Sequence, residues 1–190
     1  MLNGLLGSFS TGVAASTTSF ESIATTTVGS GGASSITFDL TGVTGYTHLQ
    51  IRGIARDART GVIGDYMDMQ FNSDTASNYN WHYLVGDGSS ASAAAGTSQS
   101  SIACYPVATA SAASNVFGAF IIEILDYTNT NKYKTTRMLS GISNNGSGAE
   151  TIWLFSGAWR NTNAITSIKL TPGTPNFSQY THFALYGIKA

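Results

Sequence analysis

Ten carboxylates, three histidines and one cysteine carry the acid–base, metal-binding and nucleophilic potential of this 190-residue chain. Asp65, Asp68 and Asp74 gather around Asn72, a set of oxygen donors that invites a calcium reading. Calcium needs those oxygens to converge on one loop. Asp65 and Asp68 have opposite parity on an extended run, so their side chains leave opposite faces. Glu123 and Asp126 differ in parity in the same way. They do not form the facing carboxyl pair that glycoside hydrolysis requires. His48, His82 and His182 are far apart in sequence, each inside a strand-like run. They read as outward polar residues or as partners of backbone groups, rather than as zinc ligands. The chain contains no G-x-S-x-G, no G-x-x-x-x-G-K-S/T and no H-E-x-x-H. The expectation is a protein that is not an enzyme, with no catalytic residues, no metal and no cofactor. Cys104 reads as a small buried hydrophobe, and a lone cysteine allows no intrachain disulfide.

The aromatic residues make up 11% of the chain and leave two readings open. Asn80-Trp81-His82-Tyr83, with Trp153, Phe155 and Trp159, would suit the apolar faces of sugars if exposed together. The other reading is plainer: these rings fill the core or a subunit interface.

Charged residues are only 10% of the chain, against about 25% in an average soluble protein. Ser, Thr, Asn, Gly and Ala take their place. Such a surface loses little on dehydration against a neighbour, because no full charge is stripped of water. The formal net charge is −1, and Lys132, Lys134 and Arg137 form the densest basic group. That is no footprint for nucleic acid. No run approaches the ~18 apolar residues of a membrane span. The first residues, MLNGLLGSFSTG, lack a basic start and a continuous apolar stretch, so they do not read as a signal peptide. If the chain leaves the cell that makes it, the expected route is another one, such as lysis.

The elements that must position these residues are strands. Short β-branched and aromatic runs alternate with period two between Gly, Ser, Asn and Asp. Candidate strands fall at residues 20–28, 35–40, 47–56, 66–71, 79–85, 101–107, 116–126, 132–140, 151–160, 165–171 and 181–189. Ile36, Phe38 and Leu40 share one face, as do Leu49, Ile51, Gly53 and Ala55, and as do Met67, Met69 and Phe71. Tyr79, Trp81, Tyr83 and Val85 line another. Residues 116–126 (FGAFIIEIL at its centre) read as a central strand, with Glu123 on the less buried face or at an interface. Pro106 places residues 101–107 at a sheet edge. Asp87-Gly88 and Asn144-Asn145-Gly146 can supply the positive φ of tight turns. Residues 86–100 and 108–115 are low in complexity and read as exposed loops. Arg52 and Arg56 share a face, with Glu123 or Asp68 as prospective partners.

The fold expected is all-β, an antiparallel β-sandwich of jelly-roll type: two four-stranded sheets plus extra strands. It comprises a single domain over residues 20–190 and an N-terminal extended arm over residues 1–19. The arm carries Leu2, Leu5, Leu6 and Phe9 on a Gly- and Ser-broken backbone, and these four are the expected assembly contacts.

The segments GGASSITFDL, THLQIRGIAR, FNSDTASNYNWHYLVGDG, ILDYTNTNKYKT and NFSQYTHFALYGIKA resemble a family of small structural proteins of tailed bacteriophages, especially viruses of cyanobacteria and other aquatic bacteria. The resemblance runs from about Phe20 to Ala190, while residues 1–19 and the 86–115 region depart from it. It implies a place on the virion and supplies no catalytic or ligand residue. The first functional reading is a capsid decoration (cement) protein. It would bind the major capsid protein on the outer surface as a homo-oligomer, with a trimer first among stoichiometries. The second is a tail or head-fibre component that binds host surface glycan. The third is a free carbohydrate-binding module. Neither nucleic acid nor membrane is an expected partner.

Overall fold

Every second side chain along each apolar run meets the same interior, and the runs become strands. The computed structural model describes residues 19–146, 148, 150–174 and 176–189. Among the described residues there is no helix. The strands are β1 (Phe20–Thr27), β2 (Ile36–Asp39), β3 (His48–Ala55), β4 (Gly64–Phe71), β5 (Tyr79–Gly86), β6 (Ala91–Gln99), β7 (Ile102–Ala108), β8 (Gly118–Leu125), β9 (Lys134–Ile142), β10 (Thr151–Trp159), β11 (Ser167–Pro172) and β12 (His182–Ile188).

They form two antiparallel sheets packed face to face. The larger has eight strands in the order β1-β12-β3-β8-β9-β10-β5-β6, and the smaller has four in the order β2-β11-β4-β7. The expected two four-stranded sheets plus extra strands take the form of sheets of eight and four. The reason is where the hairpins add. Setting aside β5–β6 and β9–β10 leaves two four-stranded sheets, β1-β12-β3-β8 and β2-β11-β4-β7. Both hairpins extend the first of these beyond β8. The smaller sheet ends at β7, which packs over β8, β9, β10 and β5. The far end of the larger sheet therefore overhangs its partner.

The core lies between the sheets. Leu49, Ile51, Ile122, Ile124, Phe183 and Leu185 of the larger sheet face Ile36, Phe38, Met67, Met69, Ile168 and Leu170 of the smaller, all buried. Cys104 is buried among them, as its residue type suggests. The strand β8 is fourth of eight, and β7, with Pro106, is an edge. Gly88, Asn145 and Gly146 all take positive φ, so both turns form where their residue types place them.

Three local expectations are corrected. Residues 91–99 are not loop but strand β6, paired with β5 along its length. Both faces of β6 are exposed except at Gly96, so it carries no apolar alternation to betray it. The backbone ladder alone makes it a strand. The 108–115 segment is a connection, but Ala108, Thr109 and Ala112 are buried. Arg56 holds it there, donating to the carbonyls of Ala113, Val116 and Ala112 at 2.8–3.1 Å. Neither arginine pairs with Glu123 or Asp68. Arg52 donates to Oε1 of Gln50 and lies over the rings of Phe20 and Tyr186.

Candidate functional site

The outer face of the larger sheet carries two rows of side chains set by strand register. One row runs Arg52, Ile121, Leu139, Leu154 and Leu84 across β3, β8, β9, β10 and β5. The adjacent row runs Ile54, Ala119, Gly141, Ile152 and Gly86. Six large aliphatic side chains in these rows are 40–61% exposed: Ile54, Leu84, Ile121, Leu139, Ile152 and Leu154. Scattered exposed leucines are ordinary, but a contiguous group of this kind marks an interaction surface. Its shape follows from the register. Ala119 and Gly141 stand between Ile54 and Ile152, and these small residues leave a shallow depression of about 980 Å³. A third row, Gln50, Glu123, Arg137, Ser156 and His82, forms a polar margin. There Arg137 donates to Glu123 at 2.6 Å, a cross-strand ion pair.

The inner face of the overhang forms a second feature. Alternation puts Trp81 and Tyr83 of β5 and Trp153 and Phe155 of β10 on that face. The Trp81 and Tyr83 rings are nearly parallel and stacked, their planes 13° apart with ring centroids at 5.9 Å. Tyr83 meets Trp153 edge-on at 4.6 Å, and Tyr105 of β7 packs on Trp153 at 4.5 Å. The Trp81 indole lies against Gly96 of β6, where an added Cβ would come within 2.6 Å of the ring. Between this ladder and the edge of the smaller sheet opens a cleft of about 520 Å³, with Tyr66, Asp68 and Ser101 on its other side and Gln99 at the end of β6. Ser101 donates to Oδ1 of Asp68 at 2.6 Å. Burial raises the Asp68 pKa, and the Ser101 hydrogen bond opposes that shift. The aromatic set picked from sequence therefore divides. Trp81, Tyr83 and Trp153 line the cleft, and Phe155 is buried at its wall. Trp159 is in the core, donating from Nε1 to Oδ2 of Asp74 at 2.8 Å.

The carboxylates do not converge on a metal. Asp65 takes an ion pair from Arg59 at 2.5 Å, Asp68 faces the cleft, and Asp74 organises its own loop by accepting from Ala76, Asn78 and Trp159. Among the described residues no group of three or more His, Cys, Asp or Glu could hold an ion. Nδ1 of His48 accepts the Asp126 N–H, and Nδ1 of His182 lies 2.8 Å from the Thr27 hydroxyl, while His82 is exposed. One acidic pair escaped the sequence reading. Asp57 and Asp65 are both fully buried, within hydrogen-bonding reach of each other, and Oδ2 of each lacks another partner. Burial raises the Asp57 pKa, which favours a protonated acid beside Asp65.

Leu2, Leu5, Leu6 and Phe9 lie outside the described residues. The aliphatic rows were missed although a signal existed: FGAFIIEIL is apolar at both parities, so one of its faces must point away from the core. Comparison with protein-family models, curated proteins and solved structures finds no match for this chain.

Proposed function

We propose that this chain is a structural protein of a tailed-bacteriophage particle, in first place a capsid decoration protein that binds the outer shell as a homo-oligomer. The observation that carries this reading is the aliphatic double row on the outer face of the larger sheet. Full burial of a large aliphatic side chain gains about 1.5–3 kcal/mol, so six half-exposed ones offer about 5–9 kcal/mol per face. Two such faces together match or exceed the ~4–15 kcal/mol cost of association. Low surface charge points the same way, as does the resemblance along residues 20–190. The strand connectivity suits the assignment too: β1-β12-β3-β8 against β2-β11-β4-β7 reads as a jelly roll, an architecture used in viral shells. Weak single contacts become firm attachment when an oligomer engages several shell subunits at once.

The test is a reconstruction of intact particles that carry this chain. Copies arrayed on the outer capsid lattice are expected. Copies confined to the tail would transfer the protein to the fibre reading. Its absence from purified particles would overturn both.

A further inference from the structure

We propose that the aromatic cleft beneath the β5–β6 overhang binds a neutral saccharide. Three observations converge on this chemistry. The near-parallel Trp81 and Tyr83 rings present an apolar aromatic surface, closed at one end by Trp153 and Tyr105. A pyranose has a matching apolar C–H face, and stacking uses both surfaces fully. The lining presents the acceptors and donors that a ring of hydroxyls needs: the Asp68 carboxylate and the Ser101 hydroxyl on the opposite wall, and at the end of β6 the Gln99 amide, which also donates to the Thr97 carbonyl. The volume of about 520 Å³ falls within the range of small-molecule sites.

Charge selects among saccharides. No Lys or Arg lines the cleft, and its one ionisable acid is Asp68. A sulfated, phosphorylated or uronic-acid glycan would meet an unpaired carboxylate and no cation, so a neutral sugar is favoured. The platform is also preformed. Gly96 leaves room for the Trp81 indole to lie flat on β6, and any side chain there would displace it. A ring already held in place loses little freedom on binding.

The site is separate from the proposed packing surface, because alternation sends Trp81, Tyr83 and Trp153 inward and Leu84 and Leu154 outward. Binding here and assembly there are therefore tested apart. Tryptophan fluorescence and calorimetry of the full chain with cellohexaose, maltohexaose, chitotetraose and mannohexaose provide the neutral probes, and tri-galacturonate the acidic one. At least one neutral probe is expected to bind with a Kd of about 1 mM or tighter, and tri-galacturonate at least about tenfold more weakly. Trp153→Ala and Asp68→Asn are each expected to weaken the neutral probe about tenfold or more. Gly96→Val, which displaces Trp81 while leaving every polar group of the cleft, should do the same, and Leu154→Asp should not. Circular dichroism and melting of each variant identify those that fail to fold, and the remaining variants decide. The proposal is overturned if no neutral probe binds at about 10 mM. It is overturned equally if binding survives all folded cleft variants, or if a proline-rich peptide binds the cleft and the sugars do not.

Discussion

Asp57, just after β3, and Asp65, near the start of β4, bury their carboxyl groups within hydrogen-bonding reach of each other. Burial pushes the Asp57 pKa up to about 7, with the Asp65 charge and hydrogen bond adding to it and the Arg59 N–H opposing. An unfolded aspartate titrates near 3.9. Between these values the folded protein holds a proton that the unfolded chain has released. Stability contributed by this group is therefore full below about pH 4, falls as pH rises, and levels off above about pH 7. Thermal melting should give a lower Tm at pH 8 than at pH 5. Asp57→Asn, which mimics the protonated acid, should remove the slope. A Tm that climbs through this window, or a slope unchanged in the variant, would show that the pair does not share a proton.

Lys134 is fully buried and donates from Nζ to the carbonyls of Asn129, Lys132 and Thr162 at 2.6–3.0 Å. It ties the β8–β9 and β10–β11 connections together. Lys134→Met keeps the stem but strands three acceptors, at a cost of about 3 kcal/mol or more. Denaturant unfolding should register that loss, whereas Lys132→Met, at an exposed ion pair with Asp126, should change stability by less than about 1 kcal/mol. Equal effects would contradict the assigned role of the buried ammonium.

Gly118 opens β8 where the chain crosses between sheets, and an added Cβ would sit 1.9 Å from the carbonyl oxygen of Pro106. Backbone cannot yield as a flexible side chain does. Gly118→Ala should therefore lower stability by about 3 kcal/mol, at the upper end of overpacking costs, or about 6–12 °C in Tm. At Gly86 the nearest atom would be 3.9 Å away, and Gly86→Ala should stay within about 0.5 kcal/mol. A tolerant Gly118 would mean that the two sheets are not pinned at this corner.

Leu139 and Leu154 are register partners at the middle of the exposed aliphatic rows. If this face joins copies of the chain, Leu139→Asp and Leu154→Asp each place a charge in the interface. Sedimentation should then show a shift to monomer, with at least about a hundredfold weaker association. Because both side chains are half exposed in the single chain, the monomer Tm should move by only a few degrees. An unchanged oligomer, or a wild-type protein that is monomeric both free and on the particle, would remove this face as the packing surface.

Local pattern determined much of this protein without any knowledge of its fold. Ile36, Phe38, Met67, Met69 and Phe71 declare their strands and their buried face through period-two alternation alone. Gly88 and Gly146 declare their turns because their positive φ suits glycine, and Pro106 declares an edge because it has no N–H to donate. Each of these signals arises within a few residues. Tertiary structure decided what depends on distant partners. Strand β6 exists because β5 offers it a ladder, although Ala91–Gln99 has no apolar face of its own. Ile121 looks like core in a run that is apolar on both sides, and only register across five strands sets it beside Leu139, Leu154 and Leu84 in solvent. Lys134 and Asp57 are surface-type residues that packing buried, and Arg56 one that it half-buried, because carbonyls from other segments and the Asp65 carboxyl converge on them. The cleft has the same origin: Trp81 and Trp153 are core-like in sequence, and they line a cleft because the larger sheet outruns the smaller one.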